Sequence, residues 1–148
     1  MNNNILKISA VLWIIWGIVH AAAGILTMMK IGDPGMAVAG ITDAVDPEQL
    51  KMSYHAAVGG LIGQHGFNLF WIGVVTTIGA FYIWKARVTS IFVTAMIGGL
   101  TDIGYFLFLD LGGFVNFVPG TVMTLICATA ILLSFYSYYS SRNPKTVD

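Results

Sequence analysis

An all-α integral membrane protein, built as one bundle of four transmembrane helices with cytoplasmic N and C termini, is what this sequence predicts, on three grounds. Hydrophobic residues make up 57% of the 148 and charged residues only 9%, with a mean hydropathy of +0.80, far from the balance of a water-soluble domain. Four stretches reach the roughly 20 mostly apolar residues that a spanning helix needs. Basic residues gather on one side of those stretches, the asymmetry that orients membrane proteins. The formal net charge is +0, with no basic block or acidic tail, so nothing suggests nucleic acid as a partner. The expected surroundings are a lipid bilayer, the inner cell membrane.

The first span covers residues 5–29. Lys7 before an apolar run and Ala21-Ala22-Ala23 after it resemble a secretory leader, but Trp13, Trp16 and His20 inside the run argue for a retained helix. The second span covers 54–84, the third 88–109 after a tight turn, and the fourth 118–138 after Gly112-Gly113, with Pro119 in its first turn. Lys7, Lys85, Arg87, Arg142 and Lys145 fall on the side of the termini. Lys30 and Lys51 fall on the other, with Asp33, Asp43, Asp46 and Glu48. Trp84, Tyr136, Tyr138 and Tyr139 suit the inner interface.

Residues 30–53 form the one long connection. Gly32-Asp33-Pro34-Gly35 signals a turn, and Asp46-Pro47-Glu48-Gln49 the start of a helical turn. Its moderately apolar middle, Met36 to Val45, is expected either as a lid over the outer mouth of the bundle or as a loop resting on headgroups. Cys127 is the single cysteine and reads as a small core residue.

Function is sought at the ionisable residues inside the spans, because such groups are expensive in hydrocarbon. His20, His65 and Asp102 stand on three different helices. Counting 1.5 Å per residue from the outer ends puts each roughly 12–16 Å below the outer surface. On the first helix Trp13, Trp16, Gly17, His20, Gly24 and Thr27 share one stripe, with Leu12, Ile15 and Val19 toward lipid. On the second, Gln64, His65 and Asn68 share a sector expected to face the interior. On the third, Gly98, Gly99, Asp102 and Tyr105 share a face. The plainer reading is a polar knot and small-residue packing, in which amides and imidazoles act as interhelical glue.

The functional reading is acid–base work on a small hydrophobic ligand, of isomerase, cyclase or hydratase type. Asp102 would be the acid or base and His20 and His65 its proton partners. Asn68, Gln64 and Tyr105 would orient the ligand, Trp13 and Trp16 would wall it, and His55 and Asp110 would stand near the outer boundary. No metal is assigned, and the cofactor is left open. A haem held by His20 and His65 is the alternative, with Gly17, Gly24, Gly63 and Gly66 leaving room for the macrocycle. A metal on His20, His65 and Asp102 is a variant of it. A third reading is a non-enzymatic assembly subunit or proton-coupled carrier, for which a homo-oligomer would supply the path. In length and four-span layout the chain resembles the small DoxX-like bacterial membrane proteins, a likeness of outline that assigns no activity and no residue.

Overall fold

The computed structural model describes residues 2–39, 42 and 46–142. Gly40, Ile41 and Asp43 to Val45 of the outer connection lie outside the described residues, as does Lys145 near the C terminus. The described chain is helical, and four of its helices are long and apolar enough to cross a membrane. They are α1 (Asn3–Met28), α3 (Ala56–Trp84), α4 (Val88–Tyr105) and α5 (Val122–Ser140), with a short α2 (Pro34–Ala39) and a 3₁₀ turn (Pro47–Leu50) between α1 and α3. Around the bundle the order is α1, α3, α4, α5 and back to α1.

Side-chain caps fix the helix starts. The Asn2 side chain accepts from the amides of Asn4 and Ile5, and His55 Nδ1 accepts from Ala57 N at 3.2 Å, each replacing a bond the first turn cannot make internally. Between α3 and α4 the chain reverses through Ala86, which holds a left-handed conformation (φ 57°).

The α1–α3 seam follows from a spacing of seven. Ala10, Gly17 and Gly24 of α1 and Gly59, Gly66, Gly73 and Ala80 of α3 are all buried. A seven-residue repeat keeps one face of each helix on its neighbour, and with hydrogen as the side chain the backbones themselves touch. A Cβ at Gly66 would meet Gly24 O at 2.8 Å and Met28 N at 2.9 Å. A Cβ at Gly17 would meet Gly73 O at 2.7 Å. Small residues that permit such approach are the usual packing surface between helices in lipid.

That seam overturns the expected orientation of α3. Gln64, His65 and Asn68 are exposed. Helical geometry explains it, since Gln64 and Asn68 each stand roughly 160° around the helix from Gly66. The smallest side chains, rather than the polar ones, decide which face turns inward. His65, about 100° from Gly66, sits at the edge of the interface.

On α1 the buried face is Leu6, Ser9, Ala10, Trp13, Trp16, Gly17, His20 and Gly24. Leu12 and Val19, expected toward lipid, are half-buried, and Leu12 packs against the core, whereas Ile15 is exposed as expected. Trp13 and Trp16 meet edge to face, with ring centroids 5.8 Å apart. Trp13 reaches across the bundle to α4, where a Cβ on Gly98 would meet its ring at 2.7 Å. Toward the end that holds both termini, Ser9 Oγ donates to Ala130 O at 2.8 Å and lies 2.6 Å from Ser134 Oγ, binding α1 to α5. At that same end Lys7 lies over the Trp84 ring and Arg142 over the Tyr138 ring.

The opposite end is built less regularly. After Tyr105 the last turn of α4 widens into a π-helical turn (Phe106–Asp110), and another (Phe117–Thr121) precedes α5. Residues 111–116 join them, with Gly113 in the left-handed region (φ 68°). The regular part of α5 begins at Val122 instead of Val118, because Val118 precedes a proline and is pushed to an extended conformation (φ −116°, ψ 125°). Asp110 ties the two turns together, accepting from Thr121 Oγ1 at 2.6 Å and from Thr124 Oγ1 at 2.9 Å.

Candidate functional site

His20, His65, Asp102 and Tyr105 line one cavity of about 180 Å³ in the half of the bundle away from the termini. The rest of its wall is mainly apolar: Val19 and Ala23 from α1, Leu69 from α3, Leu109 after α4, and Pro119, Gly120 and Met123 at the start of α5. Thr27 lies at the α1 side. A hollow of this size suits a molecule of about benzene dimensions or several waters.

Trp16 organises the polar wall. His20 follows it by one turn, and its Nδ1 lies 2.9 Å from the Trp16 carbonyl oxygen. A carbonyl only accepts, so Nδ1 carries the proton and donates, which makes Nε2 the basic nitrogen of the neutral ring. The Trp16 indole stacks on the imidazole, with centroids 3.6 Å apart and planes 19° from parallel. The indole Nε1 donates across the bundle to Asp102 Oδ1 at 3.2 Å. One tryptophan thereby fixes the tautomer and plane of the imidazole and anchors the carboxyl of another helix.

Asp102 is 5% exposed, and its second oxygen, Oδ2, is buried without a hydrogen-bond partner. Cys127 of α5, 1% exposed, lies beside the carboxyl. A buried polar atom left unpaired costs about 1–3 kcal/mol. The thiol of Cys127, a weak donor, is the group set beside this carboxyl. Tyr105 stands one turn beyond Asp102, its hydroxyl against α5, where a Cβ on Gly120 would come within 2.7 Å of it.

Other candidates fall elsewhere. Trp13 is fully buried packing against Gly98, and its Nε1 has no partner. Asn68 accepts from Trp71 Nε1 at 3.1 Å on the exposed side of α3, where Gln64 also stands. His55 caps α3. It lines a second hollow with Asp33, Pro34, Met52 and Tyr54. Asp110 is engaged by two threonines. No described residue of the 30–53 connection lines the His20–Asp102 cavity, so the described part of that segment does not sit over it as a lid. Gly35 of α2 packs instead on Leu50.

The haem alternative asked for free space beside four glycines. At Gly17, Gly24 and Gly66 that space is filled by the facing helix, and at Gly63 by the Ile31 side chain, 2.9 Å from where a Cβ would stand. Among the described residues no three His, Cys, Asp or Glu side chains group closely enough to hold a metal ion.

Sequence reasoning missed the α5 wall and the bridging role of Trp16. Pro119, Gly120 and Met123 carry no chemical signature, although Pro119 and Met123 are spaced one turn apart. Comparison with protein families, curated proteins and solved structures finds no match for this chain, and the outline resemblance to DoxX-like proteins gains no support from it.

Proposed function

We propose that this chain is a multi-pass inner-membrane protein with cytoplasmic termini. On this reading its outer half binds a small, largely apolar molecule carrying one hydrogen-bonding group and exchanges a proton with it. The insertion is supported by side chains such as Leu26, Leu100 and Leu132, which are 60%, 66% and 69% exposed and form the kind of continuous apolar surface that water does not tolerate. Orientation rests on Lys7, Lys85, Arg87 and Arg142 at the end with the termini, against Lys30 and Lys51 at the other.

The observation that carries the binding reading is the mixed lining of the cavity, a few polar groups set in an apolar wall. The polar groups are His20, His65, Asp102 and Tyr105, and between them Val19, Leu69, Leu109 and Met123 offer an apolar lining. Pockets of a few convergent polar groups in an apolar lining are the usual form of a small-molecule site. His20 Nε2 is the acceptor for a proton leaving the ligand, and Asp102, held through Trp16, is the second group able to give or take one. Such a pair suits isomerisation, cyclisation or hydration. It lacks the nucleophile of an acyl-transfer centre.

The test is to purify the protein in detergent, extract it with organic solvent and identify any stoichiometric small molecule by mass spectrometry. Rebinding to wild type, Asp102→Asn and His65→Ala follows. The wild type should carry such a compound, and Asp102→Asn should weaken rebinding by at least about tenfold, the size of one lost charge-assisted hydrogen bond. Circular dichroism and elution volume should match wild type. No bound compound, or equal affinity in folded Asp102→Asn and His65→Ala, overturns the proposal.

A further inference from the structure

The outward face of α3 has its own heptad, opposite the glycine seam. Ala57, Gln64, Trp71 and Ile78 recur every seven residues, and Leu61 and Asn68 stand four after the first two. All six are exposed. With Leu61 and Asn68 at a and the first four at d, this is the alternating three- and four-residue spacing by which two parallel helices supercoil.

Within this stripe the amides are out of place against lipid. Asn68 stands roughly 18 Å along α3 from Ala56, close to mid-bilayer on the insertion reading. Its carbonyl oxygen accepts from Trp71 Nε1, and among the described residues its two N–H donors have no partner. Among the described residues the Gln64 amide has no partner. Hydrocarbon offers neither donor nor acceptor, so polar groups there are satisfied by another helix.

We infer that a second copy of this chain docks on this face, α3 against α3 in parallel register, with Asn68 pairing with Asn68 across a two-fold axis along the membrane normal. An amide is its own complement, giving N–H and accepting at C=O. In a parallel in-register pair the core positions, a and d, bring the same residue of two identical chains face to face. A buried asparagine at a single a position is the known device for fixing two strands in register, and isologous pairing is the commonest symmetry of oligomers. Gly60, whose outward space is open, allows close approach at the outer end.

This inference rests on the membrane insertion proposed above. The experiment separates the two by first asking whether the protein is in the membrane fraction. In a Cys127→Ala background, Leu61→Cys and Val75→Cys place single thiols at a positions one heptad either side of Asn68, and Ile18→Cys places one on the outward face of α1. Mild oxidation in membranes should give disulfide-linked dimer from both α3 positions and little from α1. Adding Asn68→Leu should lower dimer association about tenfold. The mass of otherwise unmodified protein in lipid nanodiscs should fall from two chains to one with the same change.

Equal cross-linking from Ile18→Cys, adducts of a mass other than two chains, or a dimer indifferent to Asn68→Leu overturns the dimer while leaving the ligand site standing. Absence from the membrane fraction overturns the insertion reading itself.

Discussion

The α1–α3 seam and the α4–α5 end of the same bundle use small residues to opposite effect. Along the seam Gly17, Gly24, Gly59, Gly66 and Gly73 recur at sevens and the backbones close on each other, leaving nothing between them. Where α4 ends and α5 begins the helices lose regularity in two π-helical turns, and a hollow remains where Tyr105 approaches Gly120. The difference teaches that glycine creates space only where the backbone cannot follow it inward. A closely packed pair of helices holds His20 in place, while a less regular pair leaves the cavity in front of it.

The comparison breaks most directly at Gly66. Gly66→Leu sets a side chain against the Gly24 oxygen and the Met28 amide, and backbone atoms cannot swing away. The expected loss is at least about 3 kcal/mol, beyond the ordinary cost of overpacking a core. It should appear as aggregation on size exclusion and a thermal midpoint well below wild type. A stable, monodisperse Gly66→Leu protein would show that the seam is not closed.

The less regular end is sharpened by removing the clasp at Asp110. Thr121→Val with Thr124→Val strips both hydrogen bonds from Asp110. The expected cost is about 2 kcal/mol, smaller than at Gly66, with increased hydrogen exchange confined to the start of α5. Exchange rising equally along α1 would mean that the two regions are not mechanically separate.

Ser9→Ala is the mildest case. It removes both hydrogen bonds of Ser9 to α5 in the half away from the cavity, so stability should fall by about 1 kcal/mol. Affinity for a ligand in the cavity should be unchanged. A change in that affinity would join the two halves.

Four long apolar helices were legible in the sequence because hydropathy alone marks them. The inward stripe of α1 was legible too, since Trp13, Trp16, Gly17, His20 and Gly24 are set apart from the aliphatic residues around them by chemistry as well as spacing. On α3 polarity and smallness point to opposite faces. Reading Gln64 and Asn68 as interior groups followed polarity, whereas packing followed Gly59, Gly66 and Gly73, because contact between backbones is worth more than an amide with no partner inside. The α5 wall was illegible for another reason: its position depends on where regular helix resumes after Pro119, which no side-chain pattern announces. The bridge made by Trp16 depends on one rotamer, and sequence does not encode rotamers openly.

Trp16 supports its two polar neighbours in unequal ways. The bond to His20 stays within one helix and travels with it as a rigid unit, whereas the bond to Asp102 spans two helices and survives only while their relative height is preserved. A slide of α4 by a single residue's rise, about 1.5 Å, would release the carboxyl while leaving the imidazole undisturbed. The indole therefore acts as a gauge of helix displacement, set between two of the polar groups that line the cavity.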